Sequence, residues 1–267
     1  MSEAISILDL GEGKLIQKSL RTADSPLILN FAPHRRQSVI LTLEGEGNFD
    51  VKVNIGEGAD ITLLWWNRGQ NLEITENYEV QAESNLILAY SDLKEGALKR
   101  TSEVRLVGQN ARAELRSASV VAHQRTIHYQ MTHVHSDTIS EMANYAVMAE
   151  GGNLAMNVIG RIEKQAPRSQ MHQSTRVLNL SVHQKATVHP KLYIDNNDVQ
   201  AGHAQSIGQV DGEQLYYLQT RGLTHDEATK LIVYGYLYPV AEVIADETLR
   251  DLFLNEIREK VNQTCLT

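Results

Sequence analysis

Histidines carry the clearest potential for metal chemistry in this chain. His133 and His135 are separated by one residue, and alternation along a strand would place both imidazoles on one face. Imidazole is a common metal ligand, so this spacing predicts a candidate metal site. The simpler interpretation is a pair of half-exposed strand histidines that bond to their neighbours.

A third candidate is His203, which lies alone in a polar segment between a predicted strand and a predicted helix. Sequence motifs for phosphate binding, nucleophilic catalysis and acid–base catalysis are missing. The chain has no Gly-x-x-x-x-Gly-Lys-Ser/Thr phosphate loop, no Gly-x-Ser-x-Gly nucleophile elbow and no carboxylate spacing that marks an acid–base pair. Its one cysteine, Cys265, excludes a disulfide scaffold and a cysteine-rich zinc site.

Composition narrows the class of partner. The 267 residues carry 25 Lys and Arg against 33 Asp and Glu, a formal net charge of −8, and only 6% are aromatic. Nucleic-acid binding needs clustered cations or stacking aromatics, so a nucleic-acid partner is not expected. The first residues lack the basic and apolar pattern of a signal peptide, and no apolar run reaches about 20 residues, so a membrane association is not expected either. We expect a soluble cytoplasmic protein.

Short segments of alternating apolar and polar residues recur between about residues 27 and 208. They are predicted to be the strands that position these histidines. They include residues 49–55, 61–66, 72–80, 103–107 and 113–120, and turn signals separate them every 11 to 14 residues in the first half. Two such segments per coil give roughly 25 residues, which is typical of a flattened β-solenoid. The pattern predicts a right-handed parallel β-helix over 1–210, and a jelly roll or β-sandwich is the alternative.

The period changes to that of a helix after Gly208. Thr224 and Glu227 form a capping box, and Pro239 ends the run that follows. A second helix is expected to begin near Asp246, with an apolar stripe at Leu249, Leu252, Phe253, Ile257 and Val261. Residues 211–267 are therefore predicted to form a small helical subdomain.

The stretch 190–222 also resembles a known family, because many of its residues recur there at fixed spacing. They are Pro190, Leu192, Ile194, Asn197, Asp198, Val199, His203, Gly208, Gln209, Asp211, Leu215, Tyr216, Tyr217, Leu218, Arg221 and Gly222. They resemble the C-terminal core of the SufB/SufD family, the non-ATPase proteins of the SUF iron–sulfur assembly complex. The resemblance is weaker before Gly160, and the chain resembles a short form that starts almost directly in β structure, without the family's N-terminal helical region.

Several positions depart from the family's usual residues. Ala201 stands where SufD-type chains have a cysteine, Ala204 stands where SufB-type chains have a glutamate, and residues 175–180 lack the sulfur-accepting cysteine of SufB. The chain is thus SufD-like. Iron–sulfur clusters are held mainly by several thiolates, so another chain must supply most of the ligands.

The resemblance implies a non-catalytic scaffold that docks a SufC-like ABC ATPase and pairs with a SufB-like chain or with itself. It implies that His203 ligates iron or a transient cluster shared at that pairing interface, with no cofactor held stably. Five of the ten tyrosines lie within residues 216–238, and tyrosine is enriched at interfaces. The predicted ATPase-docking residues are Tyr216, Tyr217, Arg221, Leu231, Ile232 and Tyr236.

A hypothesis from a different class remains open at this point. Glu141 follows the histidine pair, and the set approaches the first motif of a cupin, although its histidine-to-glutamate spacing is too long. The alternative is therefore a cupin-like or solenoid metal-dependent enzyme that uses His133 and His135.

Overall fold

The computed structural model describes residues 6–7, 13–242, 244 and 246–264 of the chain. Sixteen strands precede four α-helices in this part, and a single 3-10 turn, Thr22–Asp24, lies between the second and third strands. The strands are β1 (Ser6–Ile7), β2 (Leu15–Arg21), β3 (Leu27–Phe31), β4 (Arg36–Glu44), β5 (Gly47–Ile55), β6 (Asp60–Asn67), β7 (Leu72–Val80), β8 (Asn85–Asp92), β9 (Leu98–Leu106), β10 (Arg112–Val121), β11 (Gln124–His133), β12 (Ile139–Met148), β13 (Asn153–Ile162), β14 (Gln170–Asn179), β15 (Lys185–Ile194) and β16 (Gln200–Gln209).

The chain alternates between two parallel sheets. Odd-numbered strands form one eight-stranded sheet and even-numbered strands form the other, so successive strands never pair with each other. The predicted parallel β-solenoid is confirmed. Gly47 pairs with Leu72, 25 residues further on, whereas Asn153 pairs with Lys185, 32 residues further on. The expected coil length is therefore right for the early coils, and the coils lengthen towards the C-terminal end.

Alternation within each strand fills the space between the sheets. In β7, Leu72, Ile74, Glu76, Tyr78 and Val80 are buried, while the residues that alternate with them are exposed or half-buried. Corners stack as closely as strands do: a Cβ on Gly108 would lie 2.0 Å from the backbone nitrogen of Ala82 in the preceding coil. Only glycine allows this approach of two backbones.

Four helices follow the solenoid: α1 (Gly212–Thr220), α2 (His225–Leu237), α3 (Pro239–Glu242) and α4 (Glu247–Thr264). We call them together the helical cap. The capping box is confirmed, because the Glu227 backbone N–H donates to Thr224 Oγ1 and the Thr224 N–H donates to Glu227 Oε2. α2 ends at Leu237, and Pro239 begins the next short helix.

The stripe predicted on α4 is correct except at one position. Leu249, Phe253, Ile257 and Val261 are buried against α2, α3 and the outer face of the even-numbered sheet, whereas Leu252 is 43% exposed. The buried arc of α4 extends instead to Leu254, on the opposite flank from Leu252, because α2 and α3 cover that side.

The helical cap shares its apolar core with the solenoid. Ile40, Trp66, Ala89 and Val120 from the outer face of the even-numbered sheet lie in the same buried cluster as Phe253 of α4. β16 ends at Gln209 and α1 begins at Gly212, beside the predicted boundary at 210, and the division into two domains stays a prediction. Within the described residues, no helix combines the length and the apolarity that a bilayer span would need.

Candidate functional site

His133 is an interior residue at the last position of β11. Its Nδ1 lies 2.6 Å from Thr138 Oγ1 and its Nε2 lies 2.6 Å from Ser140 Oγ. Burial lowers the pKa of His133 to about 4, so the ring is neutral at pH 7. Both ring nitrogens are engaged by hydroxyl groups, and a metal would have to displace one of them.

His135 lies apart from this interior site. The residue is exposed in the turn after β11, and its Nδ1 accepts a hydrogen bond of 2.9 Å from the Ser136 backbone N–H. The expectation that both imidazoles share one strand face is wrong, because the strand ends at His133 and the chain turns before His135. Across the described residues, no three His, Cys, Asp or Glu side chains come together as a metal site. The structure does not favour a metal-dependent enzyme built on this pair.

His203 lies in the middle of β16 and not in a turn. The turn comes earlier, at about residues 196–199, and β16 begins at Gln200. His203 is exposed and makes no side-chain hydrogen bond or ion pair with any described residue. It pairs in register with the buried Gln173 and therefore shares the inward-facing row of the even-numbered sheet.

The end of the solenoid around His203 is uncovered. In the described part of the chain, β15 pairs only with β13 and β16 only with β14, so each strand leaves one edge of its backbone unpaired. Three large side chains are exposed there: Tyr193 by 45%, Ile194 by 39% and Ile207 by 43%. We call the edge strands β15 and β16 the open end. It combines free main-chain groups, apolar side chains and the unpartnered imidazole of His203.

Three of the predicted docking residues lie on or just after α1. Tyr216 is 70% exposed and Tyr217 is 56% exposed, and α1 has no buried residue. Arg221 Nη2 donates to Tyr217 Oη at 3.1 Å, and the guanidinium lies 5.2 Å from the ring centre. α1 is thus a helix with little of its surface covered by the rest of the chain.

The other docking residues lie on α2 and meet Tyr217 in a groove of about 450 Å³. Leu231, Ile232 and Tyr236 form one wall, Tyr217 forms another, and Tyr145 and Arg176 of the solenoid close the third side. Tyr145 and Tyr236 meet edge to face with ring centres 6.2 Å apart, and burial raises the pKa of Tyr236 to about 12. We call this the first groove. Tyr216 and Arg221 lie outside it.

Comparison with known proteins bears on both the open end and the groove. The family model described as "SUF system FeS cluster assembly, SufBD core domain" matches residues 36–236, well over half of the chain. The chain belongs to the SufB/SufD family. Its SufBD core match covers β4 to β16 and continues through α1 into α2, so it includes the open end and both helices of the first groove.

SufD proteins are among the relatives. The chain is 32% identical to SufD of Bacillus subtilis over 181 residues, which cover 67% of this chain and 41% of that protein. It is 22% identical to SufD of Escherichia coli over 183 residues, which cover 67% and 43% respectively. Identity to SufB of Bacillus subtilis is 25% over 118 residues, which cover 44% and 25%. The chain is thus SufD-like and spans about two fifths of the length of these SufD relatives.

A charged network inside this SufB/SufD solenoid was missed by sequence reasoning. Arg100 donates from Nη1 to Glu76 Oε1 at 2.7 Å and from Nη2 to Asp92 Oδ1 at 3.0 Å, and all three side chains are fully buried. The Arg100 guanidinium also lies 4.3 Å from the ring centre of Tyr90. Alternation in β7 carries the signal that could have found it, since Glu76 falls between Ile74 and Tyr78 on the inward face.

Proposed function

We propose that this SufB/SufD chain is a non-catalytic scaffold subunit of a SUF-type iron–sulfur cluster assembly complex. It docks a SufC-like ABC ATPase through the helical cap and pairs through the open end with a SufB-like chain or a second copy of itself. One observation carries the proposal: Tyr217, Leu231, Ile232 and Tyr236 converge on one exposed groove in the region that the family resemblance assigns to ATPase docking.

The composition of this groove supports a protein partner. Leu231 is 50% exposed, and burying the remaining half of such an aliphatic side chain contributes about 1 kcal/mol. Tyrosines supply large contact areas with a polar tip and are frequent among residues that dominate binding energy. α1 would gain from a docked ATPase the covering surface that the rest of this chain does not give it.

Leu231→Glu is expected to lower the affinity for the cognate SufC-like ATPase at least tenfold, because it places a charge in the apolar groove. Leu252→Glu is the matched control, since Leu252 is a leucine of similar exposure on α4 that does not line the first groove but lines a separate cavity beside Trp66. Co-elution on size exclusion, followed by calorimetric titration of the purified chains, measures both. A folded wild-type chain that does not bind the ATPase contradicts the docking proposal.

The open end supports the pairing role. Unpaired strand edges are templates for a further strand, and Tyr193, Ile194 and Ile207 would lose their exposure when a partner covers them. His203 lies among these residues and can offer an imidazole to iron or to a cluster that passes through the interface as cargo. The single cysteine, Cys265, lies outside the described residues, and a SufB-like partner, rather than a second copy of this chain, would supply the thiolates.

Ile207→Lys is expected to prevent pairing with the SufB-like chain, whereas His203→Ala is expected to leave pairing intact and reduce the iron retained by the pair. Val182→Lys, a change at a residue 74% exposed in the loop before β15, is the control for added charge. Analytical ultracentrifugation reports pairing, and metal analysis of the reconstituted pair reports iron. Iron retained in full by His203→Ala contradicts the role of this histidine.

Such a scaffold would act by moving its bound partners and not by catalysis. ATP-driven closure of two docked ATPases would move the two helical caps together and open the paired ends where His203 lies. Iron–sulfur cluster assembly belongs in a reducing compartment, and we place this protein in the cytoplasm.

A further inference from the structure

A second groove lies on the other side of Leu231 and has a different chemical character. It has a volume of about 550 Å³ and lies between the loop after α1, the outer side of α2 and the last turns of α4. Leu223 and Tyr234 supply accessible apolar surface, and Arg221, Lys230 and Arg258 supply cations. Leu231 contributes to both grooves and forms the ridge between them.

Two of the three cations have no carboxylate partner among the described residues. Arg258 donates from Nη1 to Asn255 Oδ1 at 3.2 Å, and its guanidinium lies 5.2 Å from the Tyr234 ring centre. The Arg221 side chain donates to the Tyr217 hydroxyl and lies over the Tyr217 ring. Lys230, by contrast, is paired with Asp226 at 2.6 Å. The guanidinium groups of Arg221 and Arg258 are thus uncompensated positive charges in a chain of net charge −8.

The one carboxylate that lines the second groove is already engaged. Glu227 Oε2 accepts hydrogen bonds from the Thr224 backbone N–H at 2.8 Å and from Thr224 Oγ1 at 2.9 Å. These bonds fix the carboxylate at the start of α2, where the positive end of the helix also attracts it. Glu227 therefore stays in the capping box, and it cannot neutralise both arginines.

We propose that the second groove binds an acidic amphipathic segment of the ATPase partner. An apolar side chain of that segment packs between Leu223 and Tyr234, and its carboxylates face Arg221 and Arg258. Leu231 is the ridge between the two grooves. The acidic segment in the second groove passes over this ridge, and other residues of the partner occupy the first groove. This inference rests on the proposed docking function and assigns the charge and polarity of the partner surface.

Charge pairs at the rim of an interface mainly raise the association rate and make affinity sensitive to salt. The affinity of the wild-type chain for its ATPase is therefore expected to fall at least tenfold between 50 and 500 mM NaCl. The Arg221→Glu, Arg258→Glu double variant is expected to bind at least tenfold more weakly at 50 mM NaCl and to lose most of its salt dependence. Both side chains are exposed, so the fold should be retained, and circular dichroism checks this.

The matched control is Lys52→Glu with Arg112→Glu. It makes the same change in net charge at two exposed residues of the solenoid that form no ion pair with described residues, and it should leave affinity within twofold of wild type. Full-length chain and ATPase are titrated at each salt concentration. Equal affinity of the double variant and wild type, or tight binding that does not respond to salt, overturns the acidic segment and leaves the docking function standing.

Two further outcomes separate the inference from its premise. If the wild-type chain does not bind the ATPase at any salt concentration, the docking function itself is overturned. If the double variant instead changes the oligomeric state of the chain without ATPase, the second groove is an interface between copies of this chain, and the inference is wrong.

Discussion

Arg100→Met is expected to lower the free energy of unfolding by about 3–5 kcal/mol, because removing one partner of a buried ion pair leaves the other uncompensated. Here two carboxylates lose their partner, Glu76 and Asp92, and neither has access to water. Burial already raises the pKa of Glu76, and Arg100 is the main opposing influence. Methionine fills most of the volume of arginine, so the loss reports charge more than packing.

Chemical denaturation followed by circular dichroism at pH 7 measures this loss. Lys99→Met is the control one residue away, because Lys99 pairs with Glu73 at 2.5 Å on the exposed face and such pairs contribute about 0–1 kcal/mol. A triple variant that also carries Glu76→Gln and Asp92→Asn removes every charge of the trio and should recover most of the stability. A single variant that loses less than about 1 kcal/mol, or a triple variant less stable than the single one, contradicts the role of charge.

The trio matters for the architecture because its members come from both sheets. Glu76 lies on β7 and Arg100 on β9, which are neighbours in the odd-numbered sheet, whereas Asp92 lies on β8 in the sheet opposite. Arg100 therefore links two coils and both sheets across the interior. A slip of one residue in β7, β8 or β9 would turn one of these charged side chains outwards, so the trio favours a single register of strand pairing.

Local sequence patterns correctly predicted the features of this fold that depend only on residues close together in the sequence. Alternation gave the strands, and the capping box gave the start of α2, because each is decided within a few residues. The placement of His133 and His135 could not be predicted in this way. Whether a strand ends at residue 133 or continues to 135 depends on where the coil must turn to stack on its predecessor.

Contacts between distant segments account for the other differences. Leu252 has the right spacing for the buried stripe of α4, yet the positions of α2 and α3 decide which flank of that helix is covered. Alternation places Glu76 inside the solenoid, but only the closed coil brings Arg100 and Asp92 to it. The two grooves likewise arise where α1, α2 and α4 meet, so the sequence indicated their residues without indicating that Leu231 divides them.

Glu256 is a partly buried carboxyl group where α4 rests on the solenoid. Ser91 Oγ of β8 donates to Glu256 Oε2 at 3.2 Å, and cavities of about 290 and 400 Å³ lie on either side. Burial raises the pKa of Glu256 to about 7, against the opposing influence of Arg68. Other charged groups lining these cavities are Lys94 of the β8–β9 turn, Glu259 of α4, and the Lys260–Glu95 ion pair at 2.9 Å.

The sign of the pH effect follows from the protons that each state binds. Between about pH 4.5 and pH 7 the folded chain keeps the Glu256 proton and the unfolded chain loses it. The folded state therefore binds more protons, and the contribution of Glu256 to stability falls as pH rises through this window and levels off above pH 7. Each unit of pKa difference corresponds to about 1.4 kcal/mol, so the full loss is roughly 3 kcal/mol or slightly more.

Glu256→Gln removes the titrating group and keeps the shape of the side chain. The variant is expected to be more stable than wild type by about 2–3 kcal/mol at pH 8 and to differ little at pH 4, where wild-type Glu256 is protonated in both states. Denaturant unfolding of both chains across this pH range measures the difference, in which the titration of other groups cancels. Asp251→Asn, at an exposed residue of the same helix that lines neither cavity, is the control and should show no such trend. A stability difference that does not change with pH would mean that α4 packs on the solenoid with Glu256 charged and would contradict the prediction.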